Sequence, residues 1–347
     1  MAPPIKIAEE EAVRLYLEHG SIRAAAKAAG ITRATFQTAI DRAEKRGLTK
    51  PRVIANPSRW RPADEIVAQR KAEFDRVKAS SPTNTGNTVH LSDDGPFMVV
   101  VLGDEHLDNP GTDLQLFERW IAPLNRQKHV TGISMGDMLD NWVRPLAYLH
   151  GQAETTAPEA WILFKHYMDI MGPDLDASVG GNHDKWSGAG DLLAREMEEY
   201  GVLHQDDLLR FAWRTPQGRD ITVTARHKWA GHSQWNDVHA IKKAARMGQR
   251  DHILLGGHTH VSGETTEKCP MTGKVTHCYQ VASFKIYDDY AVTCGFTDRN
   301  MSPALALVID PRRADTDPEL CKHFYEPEAA LEYLGMLRRS YTKSKKA

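Results

Sequence analysis

The 347-residue chain has no apolar run approaching the roughly 18 residues that a bilayer demands, so no membrane span is expected. Cysteine is scarce. Cys269, Cys278, Cys294 and Cys321 stand far apart without C-x-x-C spacing, which argues against a zinc knuckle or a disulfide framework. Residues 1–11 carry three acidic side chains and no apolar stretch, so no secretory or transit leader is expected, and a reducing cytoplasm is the simplest home. Internal repeats are missing, and net charge is nearly so, at −2. What remains, 41% hydrophobic and 26% charged, is enough to bury a real core in two or three folded units.

Charge is unevenly placed. Residues 1–79 hold 16 Lys or Arg against 10 Asp or Glu, a balance of +6 that leaves −8 for the remainder. A basic end suits a polyanionic partner, although a solvated charged face has the same composition. Three short blocks of helical periodicity fill the first fifty residues, the first with Val13, Tyr16 and Leu17 on one face. After Ser21, the residues Ala24, Ala25, Ala28 and Ala29 leave room for a close helix crossing. Gly30 can supply a left-handed turn, and Thr32 is placed to cap a third helix. There Phe36, Ala39, Ile40 and Ala43 point one way, and Arg33, Ala34, Gln37, Thr38 and Asp41 the other. The stretch 12–48 resembles the helix-turn-helix modules of regulators and transposases, whose third helix enters the major groove. That resemblance implies DNA contact through Arg33, Gln37 and Thr38. Asp41 and Glu44 near the same face oppose it, and a bundle used for packing or dimerisation is the alternative.

Residues 50–62 are rich in Pro and Arg, and Pro62 stands where a helix over 63–79 would begin. The polar, turn-rich stretch 80–96 has the composition of a linker. Beyond it, apolar runs alternate with amphipathic helices, the pattern of an α/β layered domain. FMVVVLG, HVTGISMG, DLDASVGG, ITVTARH, HILLGG and ALALVID read as buried strands.

Five of these strands run into polar residues of metal-binding types. The first ends in Asp104, Glu105 and His106, a D-x-H step whose outer members would share a face of extended chain. The others end in Gly136-Asp137-Met138-Leu139-Asp140, Gly181-Asn182-His183-Asp184, His227, and Gly257-His258-Thr259-His260. Sites in open α/β sheets assemble at the carboxyl ends of strands, so these clusters are expected to converge. Singly each is weak evidence, but five in one order are not.

The ordered set resembles the calcineurin-like metallophosphoesterases over about residues 97–310. The resemblance implies two β-sheets flanked by helices, here preceded by a small all-α helix-turn-helix domain. It implies one cation held by Asp104, His106 and His260, another by Asn182, His227 and His258, and the carboxylate of Asp137 bridging both. Mn²⁺ is the first choice for both ions, with Fe or Zn²⁺ as alternatives, since oxygen ligands mixed with imidazoles suit all three. A hydroxide shared by the ions would attack phosphorus, His183 would protonate the leaving oxygen, and the carboxylate of Asp140 would orient His183 and raise its pKa. His232, five residues beyond His227, is the rival ligand; it more simply faces substrate or solvent.

The same resemblance divides the chain into a helix-turn-helix domain (1–50), a basic helix and linker (51–96), a metallophosphoesterase domain (97–312) and a C-terminal helix with a basic tail (313–347). Phosphoprotein phosphatases of the superfamily carry arginine after G-D-x-x-D and glutamate at the place of Asp184. Asn141 and Asp184 here tilt the expectation toward diesters. With the N-terminal module, and a likeness to phage and prophage enzymes, the expectation is a DNA-directed nuclease or phosphodiesterase. Alternatives are a small-diester or cyclic-nucleotide phosphodiesterase and a non-catalytic DNA-binding regulator. Trp142, Arg144 and Trp186 lie beside the motifs, where they would either grip a strand or pack.

Overall fold

The computed structural model describes residues 7–48, 61–79, 87–125, 127–142, 154–186, 190–233, 235–287, 292–295 and 299–346. Arg144, most of the Pro/Arg-rich stretch 50–62 and part of the stretch 80–96 fall outside them. The chain forms two compact units, Met1–Lys78 and Ala79–Ala347.

The first unit packs α1 (Glu9–His19), α2 (Ile22–Ala28) and α3 (Arg33–Lys45) around Ala12, Tyr16, Ala25, Phe36 and Ile40. Its turns follow from local chemistry. The Ser21 hydroxyl accepts the Ala24 N–H and the Thr32 hydroxyl the Thr35 N–H, both at 3.2 Å, satisfying donors that a helix start leaves open. Gly30 takes the left-handed conformation at φ 66° between α2 and α3. The apolar faces of the first two helices sit differently from expectation. Ala12 and Tyr16 are buried on α1 while Leu17 is 48% exposed; on α2, Ala25 and Ala26 are buried while Ala24 and Ala28 face solvent. A seven-residue helix presents one narrow stripe to Phe36 and Ile40, and small alanines allow that stripe to be any adjacent pair. On α3 the buried and exposed faces are the expected ones, with Arg33 and Thr38 exposed and Gln37 half-buried. Helix α4 (Ala63–Ala79) begins after Pro62 and has no buried residue among those described.

The second unit is a sandwich of two six-stranded sheets. Its strands are β1 (Thr88–His90), β2 (Phe97–Leu102), β3 (Val130–Ser134), β4 (Leu175–Gly180), β5 (Leu203–Asp206), β6 (Leu208–Arg214), β7 (Asp220–Arg226), β8 (Ile253–Gly256), β9 (Gly263–Lys268), β10 (Val275–Gln280), β11 (Ala304–Ile309) and β12 (Cys321–Phe324). One sheet has the order β12-β11-β2-β3-β4-β5, with β2 to β5 parallel and β11 antiparallel to both of its neighbours, β2 and β12. The other has the order β1-β6-β7-β8-β10-β9, in which β7, β8 and β10 are parallel. The short β1 lies within the stretch whose composition reads as a linker.

Both faces of β2 are covered, which is why it reads as an unbroken apolar run. Phe97, Val99 and Val101 meet Phe211, Trp213 and Val223 of the facing sheet. Met98, Val100 and Leu102 point the other way, into a layer with α5 (Leu114–Ile121), α6 (Ala157–Met171), α8 (Gly190–Glu199) and α10 (Pro327–Lys346). Helix α9 (His239–Arg246) covers the opposite outer face through Ile241 and Ala245 over Leu254 and Cys278. The fold is thus α/β, two sheets flanked by helices, with an all-α unit before it. No helix among the described residues is long and apolar enough to cross a membrane.

Candidate metal centre

Three parallel strands of one sheet (β2, β3, β4) and two of the other (β7, β8) end at the same edge of the sandwich. Asp104 and His106 follow β2, Asp137 and Asp140 follow β3, Asn182 and His183 open the short helical turn α7 (Asn182–Lys185) after β4, His227 follows β7, and His258 and His260 follow β8. Main-chain bonds lace these loops together: His106 N to Asp137 O (2.9 Å), Leu107 N to Met138 O (2.9 Å) and Gly257 N to His227 O (3.0 Å).

The seven ligand candidates meet. Asp104, His106 and His260 offer atoms within 4.8 Å of one another, and so do Asp137, His227 and His258. Asn182 joins the second group, its Oδ1 lying 3.3 Å from His227 Nε2. Asp104 and His106 do not share a face through strand alternation, because His106 has already turned into the left-handed region at φ 42°. The same conformation recurs at Asp137 (56°), Asn141 (40°), His258 (72°) and His260 (52°). Each such residue stores strain of roughly 1–3 kcal/mol, held near the low end because Asp, Asn and His tolerate this conformation best.

The arrangement around His227 decides what the cluster can hold. Its Nδ1 donates to the Met135 carbonyl at 2.7 Å, which leaves Nε2 facing inward. That nitrogen lies 3.2 Å from Asp137 Oδ2, 3.3 Å from Asn182 Oδ1 and 3.3 Å from His258 Nδ1. One hydrogen cannot satisfy a carboxylate, an amide oxygen and a second imidazole at once, whereas a cation among the four atoms can. At the other group, His260 Nε2 is 3.2 Å from Asp104 Oδ2, and His106 Nε2 is buried without a hydrogen-bond partner. An orphaned buried nitrogen beside a buried carboxylate fits a metal ligand better than a packing residue.

Comparisons with known proteins bear on the two units unequally. The family model for a helix-turn-helix domain matches residues 10–60. Against curated proteins the chain finds no match. Among solved structures, Vps29 of Entamoeba histolytica, complexed with Zn²⁺, is 15% identical, with 66% of this chain and 98% of that chain covered and a TM-score of 0.34. A predicted phosphoesterase of Streptococcus pneumoniae is 13% identical (66% and 97% covered, TM-score 0.28). Vacuolar protein sorting 29 of Cryptosporidium parvum is 12% identical (67% and 97% covered, TM-score 0.34). At such scores the chemistry of the site rests on its own residues.

Electrostatics agree with a site made for cations. Burial disfavours charge on His227, yet Asp137 and Asp104 outweigh it and hold the pKa up at about 10, so a proton stands where a cation fits. Burial and the charge of His227 push His258 down to about 4. Asp104 is held below the usual carboxylate range, His227 and His260 outweighing its burial.

His183 and Asp140 are in contact, but through different atoms from those expected. The Asp140 carboxylate is taken by His106 Nδ1 at 2.8 Å and by Asn109 Nδ2 at 2.6 Å, while its main-chain carbonyl meets His183 Nδ1. With no carboxylate on its ring, His183 is pushed down to about 4 by burial and by neighbouring His106, the reverse of the expected rise. Asp137 Oδ1 accepts the His183 N–H at 2.8 Å, tying acid candidate to ligand candidate. His232 is exposed.

Sequence reading gave no role to several residues that shape the site. The buried carboxylate of Asp184 accepts the N–H groups of Asp137 (2.7 Å), Met138 (3.0 Å) and Gly181 (2.8 Å), stapling the β3 loop to the β4 loop. Asp108 accepts the Asp140 N–H at 2.8 Å. Two motif glycines leave room for carboxylates of the candidate ligands: a Cβ on Gly181 would stand 2.1 Å from Asp137 Oδ1, and one on Gly257 2.6 Å from Asp104 Oδ1. The G-N-H-D and G-G-H-T-H spellings carry that signal.

Proposed function

We propose that the second unit hydrolyses phosphodiesters with two divalent cations, Mn²⁺ first and Fe or Zn²⁺ as alternatives, and that the helix-turn-helix unit brings DNA to it. Asp104, His106 and His260 would hold one ion, Asn182, His227 and His258 the other, and Asp137 both. The observation that carries this reading is His227 Nε2, ringed at 3.2–3.3 Å by Asp137, Asn182 and His258. When bound, such a pair of cations acidifies a water and neutralises charge on the phosphoryl oxygens.

The chain's own residues supply the rest. A carbonyl can only accept, so the Asp140 carbonyl fixes the proton of neutral His183 on Nδ1 and leaves Nε2 to take a proton from solvent water and pass it to the leaving oxygen. The resting imidazole is neutral at pH 7, and the negative charge of a bound phosphate raises its basicity. Trp142 and Trp186 pack against the His183 ring, their centroids 4.9 and 4.0 Å from its own. The Asp140 carboxylate positions His106 instead of the acid. Asn141, at the place of the phosphoprotein phosphatases' arginine, is spent on the His183 carbonyl at 3.3 Å and brings no charge, which suits a monoanionic diester better than a dianionic monoester.

On the reader helix α3, Arg33, Gln37 and Thr38 are the proposed base and phosphate contacts, although Gln37 is bonded to Asp41 at 2.8 Å and must release it. The test is a panel of wild-type and His183→Ala protein with Mn²⁺ on labelled DNA, RNA and bis(p-nitrophenyl) phosphate. Metal-dependent cleavage of DNA, reduced about 10²- to 10⁴-fold in His183→Ala, is the expected result. Turnover of the chromogenic diester without cleavage of either nucleic acid would assign a small-molecule phosphodiesterase instead. Binding without any turnover would leave a DNA-binding regulator. Removal of Arg33 should lower the salt slope of DNA binding by about one.

A further inference from the structure

His183 meets the ligand cluster through His106, ring centroids 4.8 Å apart, and it also meets two indoles. Trp186, half-buried, tilts across it at 4.0 Å; Trp142 stands edge-on at 4.9 Å and lies 6.1 Å from Trp186. The ammonium of Lys285 lies over the Trp142 ring at 5.2 Å. Lys285 comes from far along the chain, placed by main-chain pairing between residues 112 and 285. An acid protonates the departing oxygen, so whatever adjoins His183 lies on the leaving-group side. Trp186 is the more exposed of the two rings, while Trp142 and Lys285 are buried. A partly open indole beside a general acid is a platform on which a nucleobase can stack.

We infer that Trp186 forms the leaving-group subsite of the proposed phosphodiesterase centre, its indole stacking on the base of the departing nucleoside. The inference rests on the phosphodiesterase reading and narrows it to unpaired nucleic acid, because a base must leave its duplex partner to lie on an indole. If the indoles served only to hold the imidazole, they would affect every diester alike.

The experiment is a cycle between protein and substrate. Wild-type, Trp186→Ala and Trp186→Phe proteins are assayed with Mn²⁺ on a deoxydinucleotide and on the same molecule lacking only the leaving-side base. Loss of that base should lower wild-type kcat/KM roughly 5- to 150-fold, the equivalent of about 1–3 kcal/mol of stacking. The penalty should nearly vanish in Trp186→Ala and persist in Trp186→Phe. Equilibrium binding of both dinucleotides to metal-free protein reads the same cycle without turnover. An equal base penalty in wild type and Trp186→Ala, or none in either, overturns the subsite even while bis(p-nitrophenyl) phosphate is still hydrolysed. If wild type hydrolyses no diester, the phosphodiesterase reading falls and the subsite with it.

Discussion

Replacing Gly181 by alanine is a steric test of the centre with little conformational cost. Gly181 has φ −88° and ψ −174°, a backbone that any residue adopts, so an added methyl meets no torsional objection. It meets Asp137 instead, with Cβ 2.1 Å from Oδ1, 2.7 Å from Cγ and 2.7 Å from the main-chain nitrogen. An ordinary contact is about 3.5 Å, so Asp137 must retreat by more than ~1 Å, and a side-chain rotation alone cannot clear the nitrogen. Overpacking of this kind costs about 1–3 kcal/mol, or a Tm lower by roughly 2–12 °C in a domain of this size. The larger effect falls on the site, since a displacement near 1 Å costs on the order of 10²-fold in rate and a disturbed ligand shell 10- to 100-fold in metal affinity. Calorimetric Mn²⁺ titration beside thermal melts with and without Mn²⁺ separates the two. A folded Gly181→Ala protein that binds Mn²⁺ as tightly as wild type would refute the placement of the Asp137 carboxylate against this backbone.

Four further outcomes follow from the same geometry. Because Asp137 and Asp104 hold His227 at about 10 in the metal-free protein, a cation must displace its proton at neutral pH, so metal affinity should rise about tenfold per pH unit and titrations in buffers of differing ionisation heat should show at least one proton released. The sign for stability is the opposite: with the unfolded value at 6.5, the metal-free protein should lose stability as pH climbs from there to about 10, and pH-independent melts would contradict it. Asp140→Asn keeps the carbonyl that holds His183 and loses the charge on His106, so calorimetry should show weaker metal binding while the pH–rate limb belonging to the acid stays in place. Asp184→Asn must turn an NH₂ toward at least one of three main-chain N–H donors, a loss of about 1.5–3 kcal/mol that chemical denaturation would register.

The candidate ligands were legible because each lies within four residues of a strand's carboxyl end, and four of the five strands carrying them are largely buried, β7 alternating instead. β9 and β10 were not legible. β9 alternates half-buried and exposed positions without one aliphatic residue, and β10, though fully buried, carries His277 and Gln280 in place of aliphatic residues. β6 hid for a similar reason, with Arg210 and Arg214 interleaved among Phe211 and Trp213. Residue type cannot show whether an aspartate works through its carboxylate or its carbonyl, so Asp140 was assigned to the wrong atom of the right neighbour. Nor can local pattern place Lys285 over Trp142, a contact across 143 residues of chain that depends on how the loops cross.

The left-handed backbone at His106, Asp137, Asn141, His258 and His260 sets the centre against the resilience of the body that carries it. Glycine at any of these five positions would relax the chain and erase a donor or its support. Laboratory selection for heat resistance alone should therefore accumulate changes there and yield hardier, inert descendants, unless divalent metal is kept in the selection to reward the side chains it needs.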